Sequence, residues 1–475
     1  MKYYSTNGKA SPASLEQAVV RGLAEDRGLY MPERIAVLPE AFFDNIQTMT
    51  FQEIACTVAD AFFGEDIPAA ELHRIVEETL AFDCPVVPVT RSIGALELFH
   101  GPTLAFKDVG ARFMARLLRH FTQHTDDKRT IHVLVATSGD TGSAVANGFL
   151  GVEGVHVHVL YPKGKVSPIQ ECQFTTLGHN ITALEVDGCF DDCQALVKSA
   201  FMDAELTSRL RLTSANSINV ARFLPQAFYY FHGYAQMKRL GLAGQLVVCV
   251  PSGNFGNLCA ALFAKRMGLP VKRFVCASNA NDVLTEFIHT GVYNKNRPFH
   301  LTISPSMDIL VSSNLERLLY MLCGDAKTKD FMAQLSAEGR YDVGADVHEK
   351  IAGQFFAACC DDDATKAKIA ETWKTHGYLI DTHTAVAAKA IDCYRAETGD
   401  RTPAVVVSTA SPFKFAADVC AALGVSAGDD PLSALSDACG IAVPAPLSGL
   451  EQREVRFDGV TEKTEMRAVV DAFLK

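Results

Sequence analysis

The sequence predicts an α/β protein with two parallel-sheet domains and a mainly helical N-terminal domain. From about residue 90 onward, short runs rich in Val, Ile and Leu alternate with segments of helical periodicity. This alternation is typical of parallel strands that are covered by helices on both faces. The chain is 475 residues long, which is more than one hydrophobic core usually supports, so we expect two or three domains.

The predicted elements follow one another along the chain. Residues 1–89 are expected to form the helical domain, because "SLEQAVVRGLAE" and "AAELHRIVEETLAF" carry apolar residues at three- and four-residue spacing. The strands then divide into a smaller α/β domain over 128–225 and a larger one over 90–127 and 226–430. A helical insertion is predicted at 314–376 and a separate C-terminal segment at 431–475. The predicted strands are 131–136, 155–161, 181–186, 245–250, 273–278 and 403–409.

Composition excludes several classes of protein. The formal net charge is −11, which argues against a nucleic-acid binder because such proteins carry a basic face. Most of the 14 cysteines stand singly in apolar runs and no C-x-x-C occurs, so we predict no metal site. The chain contains no 18-residue apolar run and begins without the apolar region of a signal peptide. We therefore predict a cytoplasmic protein that does not enter a membrane.

The loops after the predicted strands should carry the function, because ligands of parallel sheets bind beyond the carboxyl ends of the strands. The loop "PSGNFGN", Pro251 to Asn257, leads from a strand into a helix. Its glycines Gly253 and Gly256 allow several backbone amides to face one point, as in a phosphate site. The alternative is a tight turn in which the glycines only relieve strain. No two glycines are spaced i, i+2, so the dinucleotide fingerprint G-x-G-x-x-G is absent.

Two further loops carry clustered hydroxyl groups. In "ATSGDTG", Ala136 to Gly142, the hydroxyls of Thr137, Ser138 and Thr141 precede a helix, an arrangement that suits a carboxylate ligand. Ordinary capping of the helix is the alternative interpretation. In "STASPFK", 408–414, Thr409 could offer its hydroxyl to a ring nitrogen, although it could equally cap a helix.

The segment "NSINVAR", 216–222, combines amides, a hydroxyl and a guanidinium. Its candidate ligand-binding residues are Asn216, Ser217 and Arg222, and Arg222 could bind a phosphate through two hydrogen bonds. A surface salt bridge is the commoner fate of a single arginine. The sequence alone leaves both interpretations open.

Lys107 in "HGPTLAFKDVG" is the residue that connects these loops to one type of chemistry. The lysine stands at the start of a predicted helix, where the helix dipole favours anions rather than cations. A lysine that faces a phosphate site, a carboxylate site and a ring-nitrogen partner is what a pyridoxal 5'-phosphate enzyme requires. Its amine forms a Schiff base with the cofactor, and burial and positive potential lower its pKa. An exposed lysine at a helix end is the default alternative.

Several of these segments also carry a family resemblance. The motifs "HGPTLAFKD", "TSGDTGSA", "NSINVAR", "PSGNFGN", "SPSMDILVSSNLERLLY" and "STASPFKF" occur in the order found in threonine synthases. From about residue 15 to about residue 420 the chain thus resembles that family. The resemblance implies the fold of the tryptophan synthase β-like enzymes (fold type II), with the cofactor in the crevice between the two α/β domains. It also implies a lyase reaction of threonine biosynthesis, in which O-phospho-L-homoserine and water give L-threonine and phosphate by β,γ-elimination and water addition.

The resemblance further implies roles for the residues of these motifs. Lys107 would hold the cofactor as a Schiff base and act as the catalytic base, and Thr409 would hydrogen-bond the pyridine nitrogen. Thr137, Ser138 and Thr141 would face the substrate carboxylate. Asn216, Ser217 and Arg222 would bind the substrate phosphate. The cofactor phosphate would be bound by Gly253, Asn254, Phe255, Gly256 and Asn257.

This sequence departs from related patterns at two positions. Enzymes of the wider fold often carry Asn where this chain has Asp140, and some family members carry a histidine in the loop that here contains Ser411. Both roles stay open, as does any role for the 314–376 insertion. The nearest alternative function is another pyridoxal-phosphate amino-acid lyase of the same fold, either a serine or threonine dehydratase or a phospho-lyase that releases 2-oxobutyrate. We expect a monomer or homodimer with a small-molecule substrate.

Overall fold

The computed structural model describes residues 1–242, 244–457 and 459–462. Most of its strands belong to two parallel sheets, and helices pack against both. The strands are β1 (Tyr3–Ser5), β2 (Tyr30–Pro32), β3 (Val86–Thr90), β4 (Ile93–Glu97), β5 (Ile131–Ala136), β6 (Val155–Pro162), β7 (Ile181–Asp187), β8 (Arg211–Ser214), β9 (Leu246–Pro251), β10 (Val271–Ser278), β11 (Val292–Asn294), β12 (Arg340–Asp342), β13 (Phe355–Cys359), β14 (Ala404–Ser408) and β15 (Val460–Glu462).

The larger sheet has six strands in the order β13-β10-β9-β14-β4-β3. All its pairings are parallel except that of β3 with β4. The smaller sheet has the order β15-β7-β6-β5-β8 and is parallel throughout. The central strands β9 and β14 are buried along their whole length, as expected of parallel strands covered on both faces. The predicted α/β class with two parallel sheets is therefore confirmed.

Helices cover both sheets and build the N-terminal region. The α-helices are α1 (Leu15–Arg21), α2 (Glu40–Asn45), α3 (Phe51–Phe63), α4 (Ala69–Thr79), α5 (Lys107–His124), α6 (Asp140–Phe149), α7 (Pro168–Thr175), α8 (Phe190–Met202), α9 (Ala204–Arg209), α10 (Val220–Phe223), α11 (Phe228–Arg239), α12 (Gly256–Arg266), α13 (Val283–Thr290), α14 (Leu315–Glu338), α15 (Ala345–Ala352), α16 (Asp362–His376), α17 (Thr382–Thr398), α18 (Ala416–Leu423) and α19 (Pro431–Cys439). Within the described ranges, none combines the length and hydrophobicity needed to cross a bilayer.

Three features differ from the elements predicted by sequence. The 314–376 segment contains helices, but it also contains β13, which pairs in parallel with β10 at the edge of the larger sheet. Strand β3 crosses the predicted boundary at residue 89, and β15 in the C-terminal segment pairs with β7. Such short strands are stabilised mainly by pairing with a neighbour, so their own residues predict them poorly. The domain boundaries stay predictions.

Candidate active site

Lys107 is the first residue of α5 and follows a turn that buried groups stabilise. The Asp108 carboxylate accepts hydrogen bonds from the Thr103 amide at 2.9 Å and the Thr103 hydroxyl at 2.6 Å. Gly101 packs against this carboxylate, where a Cβ atom would clash. Asp108 thus accepts hydrogen bonds that close the turn ahead of the helix, which fixes the position of the lysine beside it.

The same turn is attached to the carboxyl end of β14. The amide of Phe106 donates to the carbonyl of Thr409 at 2.9 Å, and Ala105 forms a bridge with Ala410. Lys107 therefore lies next to Thr409, as the sequence predicts for a cofactor site. The neighbouring Ser408 hydroxyl lies 2.9 Å from the Thr384 hydroxyl and is engaged in the protein interior.

The electrostatic environment of Lys107 favours its neutral form. Burial lowers the pKa of the Lys107 amine to about 8; nearby Asp140 opposes this shift, and the positive charges of Lys414 and Arg222 add to it. Its Nζ lies 4.0 Å from Asp140 Oδ2, which is beyond hydrogen-bond distance. A lysine near pKa 8 can both attack a carbonyl carbon and accept a proton near neutral pH.

Asp140 begins α6 and is the central anion of the site. Its carboxylate pairs with Lys414 Nζ at 2.6 Å and accepts hydrogen bonds from the Gln170 amide at 2.7 Å and the Ser306 hydroxyl at 3.1 Å. Burial opposes its ionisation, but the charges of Lys414 and Lys107 hold the pKa of Asp140 well below its usual range. Asp140 is therefore a carboxylate that can accept hydrogen bonds and cannot donate one.

Lys414 is a functional candidate that sequence reasoning missed. Its side chain is fully buried, and its Nζ also donates to the carbonyl of Thr103 at 2.8 Å. Ser411, whose role was open, begins the turn that carries Lys414, because its hydroxyl accepts from the amide of Phe413. A lysine inside the apolar run "SPFKFAA" was the available signal, since lysine is almost never fully buried unless it is paired.

Besides the Asp140–Lys414 pair, a buried Asp381–His383 pair contacts the site through Ser306. His383 Nδ1 lies 2.8 Å from Asp381 Oδ2, and its Nε2 accepts from the amide of Ser306 at 3.2 Å. Asp381 and His383 are both buried at the start of α17. This pair therefore orients the 3-10 helix Pro305–Met307, whose Ser306 hydroxyl contacts Asp140. Sequence reasoning also missed these residues.

The loop from β9 to α12 has the geometry of an anion site. Phe255 adopts a left-handed conformation with φ 66°, and α12 begins at Gly256. In the described part of the chain, the amides of residues 253–257 donate to no protein acceptor. Amides at a helix N-terminus are typical donors to phosphate. Gly253 packs against the main chain of Met307, so this loop contacts the 3-10 helix that touches Asp140.

Arg222, at the end of the "NSINVAR" segment, is buried close to Lys107. Among the described residues, no acceptor lies within hydrogen-bond distance of its Nε or Nη1. Burial lowers the pKa of Arg222 to about 10, against the opposing effects of Asp108 and Tyr229; the group stays charged at neutral pH. Its carbonyl packs directly against Gly110 of α5. A buried guanidinium with two unused donors is typical of an oxyanion site.

Asn216 and Ser217, which were predicted to bind the same phosphate as Arg222, differ in their hydrogen bonding. The Asn216 side-chain oxygen is buried without a hydrogen-bond partner in the described chain. The Ser217 hydroxyl accepts from the Asn314 amide at 3.0 Å and lies 3.4 Å from Asn254 Oδ1. The Asn254 side-chain oxygen therefore braces this segment, since it accepts from Ser217 and Ser313.

The start of the 314–376 segment contributes to the site, a role that the sequence did not predict. Arg317 is fully buried and donates to the carbonyl of Ile218 at 2.6 Å and to the Asn314 side chain. Its guanidinium stacks on Phe223, 4.6 Å from the ring centroid. Arg317 and Asn314 thereby fix the backbone of the "NSINVAR" segment from the opposite side.

The three hydroxyl groups predicted in the "ATSGDTG" loop differ in whether the protein already uses them. The Thr137 hydroxyl accepts from the amides of Gly139 and Gly142 at 2.9 and 2.8 Å, which is the capping role that the sequence also allowed. Thr137 is 1% exposed, so its hydroxyl is committed to the protein. Ser138 and Thr141 are half-buried beside Asp140 and are better placed to bind a ligand.

Comparison with known proteins gives a consistent result. Three family descriptions match: "Threonine synthase N terminus" over residues 2–80, "Pyridoxal-phosphate dependent enzyme" over 94–410 and "Threonine synthase, C-terminal" over 384–471. The chain is 40% identical to threonine synthase of Escherichia coli over 89% of this chain and 91% of that protein. The Saccharomyces cerevisiae threonine synthase is 36% identical over 87% of each chain.

Solved structures agree with these matches. The PLP-bound threonine synthase from Brucella melitensis superposes with a TM-score of 0.89 at 37% identity, covering 100% of this chain and 99% of that chain. Threonine synthase from yeast gives a TM-score of 0.90 at 34% identity, with 100% and 98% coverage. The predicted fold, cofactor and enzyme class are confirmed. The chain belongs to the threonine synthase family of pyridoxal-phosphate-dependent enzymes.

Proposed function

We propose that this chain converts O-phospho-L-homoserine and water to L-threonine and phosphate, with Lys107 as the residue that holds pyridoxal phosphate. The observation that carries this proposal is that a lysine and an arginine with different protonation behaviour lie close together in the site. Lys107 has a pKa lowered to about 8, whereas Arg222 stays charged and has two nitrogen atoms without protein partners. The first suits a nucleophile and base, and the second suits a phosphate.

The residues of the site fit the cofactor. The unpaired amides of residues 253–257 at the start of α12 would bind its phosphate. Thr409, which follows β14 and whose carbonyl accepts from the Phe106 amide, would hydrogen-bond its ring nitrogen. A hydroxyl partner, unlike a carboxylate, does not favour protonation of that nitrogen. When bound, pyridoxal phosphate supplies the electron sink that lets protons leave the substrate and lets its γ-phosphate depart.

The side chains of this protein would then bind substrate and transfer protons. Ser138 and Thr141 would donate to the substrate carboxylate at the N-terminus of α6. Arg222 and Asn216 would hold the substrate phosphate and retain it as it leaves Cγ. Lys107 Nζ would take the proton from Cα and then one from Cβ, since an amine with a pKa near 8 is partly neutral at physiological pH. After the phosphate has left, one proton is delivered to Cγ and one returns to Cα, while water adds its hydroxyl at Cβ. The remaining proton goes to the released phosphate, which completes the balance of L-threonine and phosphate.

The composition of the chain bears on the cell compartment in which the enzyme works. All fourteen cysteines are unbridged, which supports a reducing compartment. Together with the net charge of −11, this supports our placement of the enzyme in the cytoplasm. A monomer or a homodimer would accommodate a site built, as here, from one chain.

Product analysis tests the proposed function against a lyase that releases 2-oxobutyrate. The purified protein with O-phospho-L-homoserine should form threonine and phosphate in equal amounts. Lys107→Ala should abolish turnover, because it removes the base and the covalent anchor. Lys165→Ala, which alters an exposed lysine, should leave turnover unchanged. Accumulation of 2-oxobutyrate in place of threonine, or a Lys107→Ala variant that still makes threonine, would contradict the proposal.

A further inference from the structure

Two lysines, one fully buried and one largely buried, lie beside one buried carboxylate in this site. Lys414 Nζ lies 2.6 Å from Asp140 Oδ1, whereas Lys107 Nζ lies 4.0 Å from Asp140 Oδ2. The Lys414 side chain is fully buried and that of Lys107 is 15% exposed. Asp140 has therefore formed its ion pair with Lys414, and no carboxylate of the described residues lies within hydrogen-bond distance of Lys107 Nζ.

We propose that the Asp140–Lys414 ion pair is a positioning device that leaves Lys107, and not Lys414, as the reactive neutral amine. The inference rests on the proposed role of Lys107 and adds a role for Lys414 and Asp140. Neither residue need touch the substrate for this purpose. Lys414 neutralises the one carboxylate that would otherwise hold a proton on Lys107.

The surrounding elements hold the pair in this arrangement. Gln170 of α7 and Ser306 of the 3-10 helix donate to Asp140, and the Thr103 carbonyl accepts from Lys414. Gln170 and Lys414 bind Asp140 Oδ1, and Ser306 donates to Oδ2, the oxygen that lies 4.0 Å from Lys107 Nζ. The arrangement is therefore stable without any contact to the reactive lysine.

The charged groups around Lys107 all come from different elements. Asp140 lies at the start of α6, Lys414 lies in the 3-10 helix Pro412–Phe415, and Arg222 lies in α10. Asp108 follows Lys107 in α5, but its carboxylate accepts both of its hydrogen bonds from Thr103. His383 of α17 accepts from the amide of Ser306, and its charge, when present, lowers the pKa of Asp140. Asp140 is thus the anion nearest to Lys107, and Lys414 and Arg222 are the cations that oppose protonation.

The sign of each charge change follows from this arrangement. Asp140 raises the pKa of Lys107, and Lys414 and Arg222 lower it. Lys414→Met removes a cation and leaves Asp140 with Lys107 as its remaining cationic partner, so the pKa of Lys107 should rise. The double variant Lys414→Met/Asp140→Asn removes the pair as a neutral unit. The pKa of Lys107 should then return to the wild-type value or fall below it.

The reactivity of Lys107 toward acetic anhydride measures this directly. We would label the full-length chain, freed of cofactor, between pH 6.5 and 10 and quantify acetylation of the Lys107 peptide by mass spectrometry. Half-maximal reactivity is expected near pH 8 in the wild type. It should move up by at least about one pH unit in Lys414→Met, as for a charge partner at this distance. Lys414→Arg, which keeps the charge, should stay within about half a unit of the wild type.

The double variant separates this role from a structural one. A purely structural Lys414 would lower the melting temperature of the variants without moving the labelling profile of Lys107. If Lys414→Met labels at the wild-type pH, or if the double variant moves in the same direction as the single variant, the inference is wrong. Cofactor retention after Lys107→Ala tests the proposed function separately: if the cofactor is still bound covalently there, the assignment of Lys107 fails whatever the labelling shows.

Discussion

At the scale of single residues, the site depends on cations that the fold buries without full compensation. Arg222 lacks partners for two of its nitrogen atoms in the described chain, and a buried guanidinium is costly unless it is paired. Gly110 is required beside it, because any Cβ atom there would strike the Arg222 carbonyl. The protein therefore holds Arg222 in a position where an anionic group would satisfy both its charge and its free donors.

Replacement of Arg222 tests this residue-scale account. Arg222→Lys keeps the charge but removes the second donor, so kcat/KM for O-phospho-L-homoserine should fall about 10- to 100-fold, the range for a charged hydrogen bond. The loss should appear mainly in KM if Arg222 binds the ground-state phosphate. The matched control is Arg211→Lys, which alters an arginine that pairs with Asp127 in another part of the smaller sheet. Unchanged steady-state kinetics in Arg222→Lys would exclude phosphate binding at this position.

Sequence reasoning located single residues well where the chemistry is local. Lys107 begins α5 and Thr409 directly follows β14, so local patterns sufficed to single them out as candidates; their roles stay predictions. Lys414 and His383 could not be assigned in this way. Their roles depend on contacts between distant parts of the chain, such as Lys414 with Asp140 and His383 with Ser306, and no local pattern encodes those distances.

At the scale of elements, short turns link the loops that form the site. The 3-10 helix Pro305–Met307 contacts Gly253 on one side and places the Ser306 hydroxyl against Asp140 on the other. The Ser312 hydroxyl also donates to the carbonyl of Gly253 at 2.7 Å. The 253–257 loop and the Asp140 carboxylate of α6 are therefore connected through this 3-10 helix.

Replacement of Gly253 by alanine tests this contact between the 253–257 loop and the 3-10 helix. A Cβ atom at Gly253 would lie 2.9 Å from the Met307 Cα atom, and main chain cannot yield as a flexible side chain can. Gly253→Ala should therefore weaken pyridoxal phosphate binding by about tenfold or more, equivalent to roughly 1.4 kcal/mol. Titration of the cofactor-free protein, followed by absorbance, measures this dissociation constant.

The control for this variant is Gly459→Ala, where a Cβ atom would have no neighbour within 4 Å. Its cofactor affinity should equal that of the wild type. Wild-type affinity in Gly253→Ala as well would show that the loop is not part of the cofactor site.

The elements themselves were predictable where they are long and apolar. The central strands β5, β6, β9, β10 and β14 correspond to runs rich in β-branched residues, as the periodicity rule expects. Strands β4, β8, β13 and β15 were not predicted; β4 contains Gly94, and β13 carries no β-branched residue. Pairing in a sheet, rather than the propensity of the segment, decides such strands.

At the scale of the whole molecule, the site draws on both sheets and on the N-terminal region. Thr409 follows β14 of the larger sheet, and the 136–142 loop follows β5 of the smaller sheet. The N-terminal region braces the "NSINVAR" segment, because the side-chain amide of Asn219 donates to the carbonyl of Val19 at 2.8 Å. That the candidate residues lie in loops after the strands was predictable from topology, whereas the bracing by distant segments was not.

The most direct test of the account is to identify the residue that holds the cofactor. The purified protein with bound pyridoxal phosphate would be reduced with borohydride, digested and mapped by mass spectrometry. We predict a pyridoxyl group on Lys107 alone, with Lys414 unmodified because its ammonium is paired with Asp140. Modification of Lys414 or of another lysine, or none after reconstitution with the cofactor, would contradict the central claim that Lys107 is the catalytic lysine.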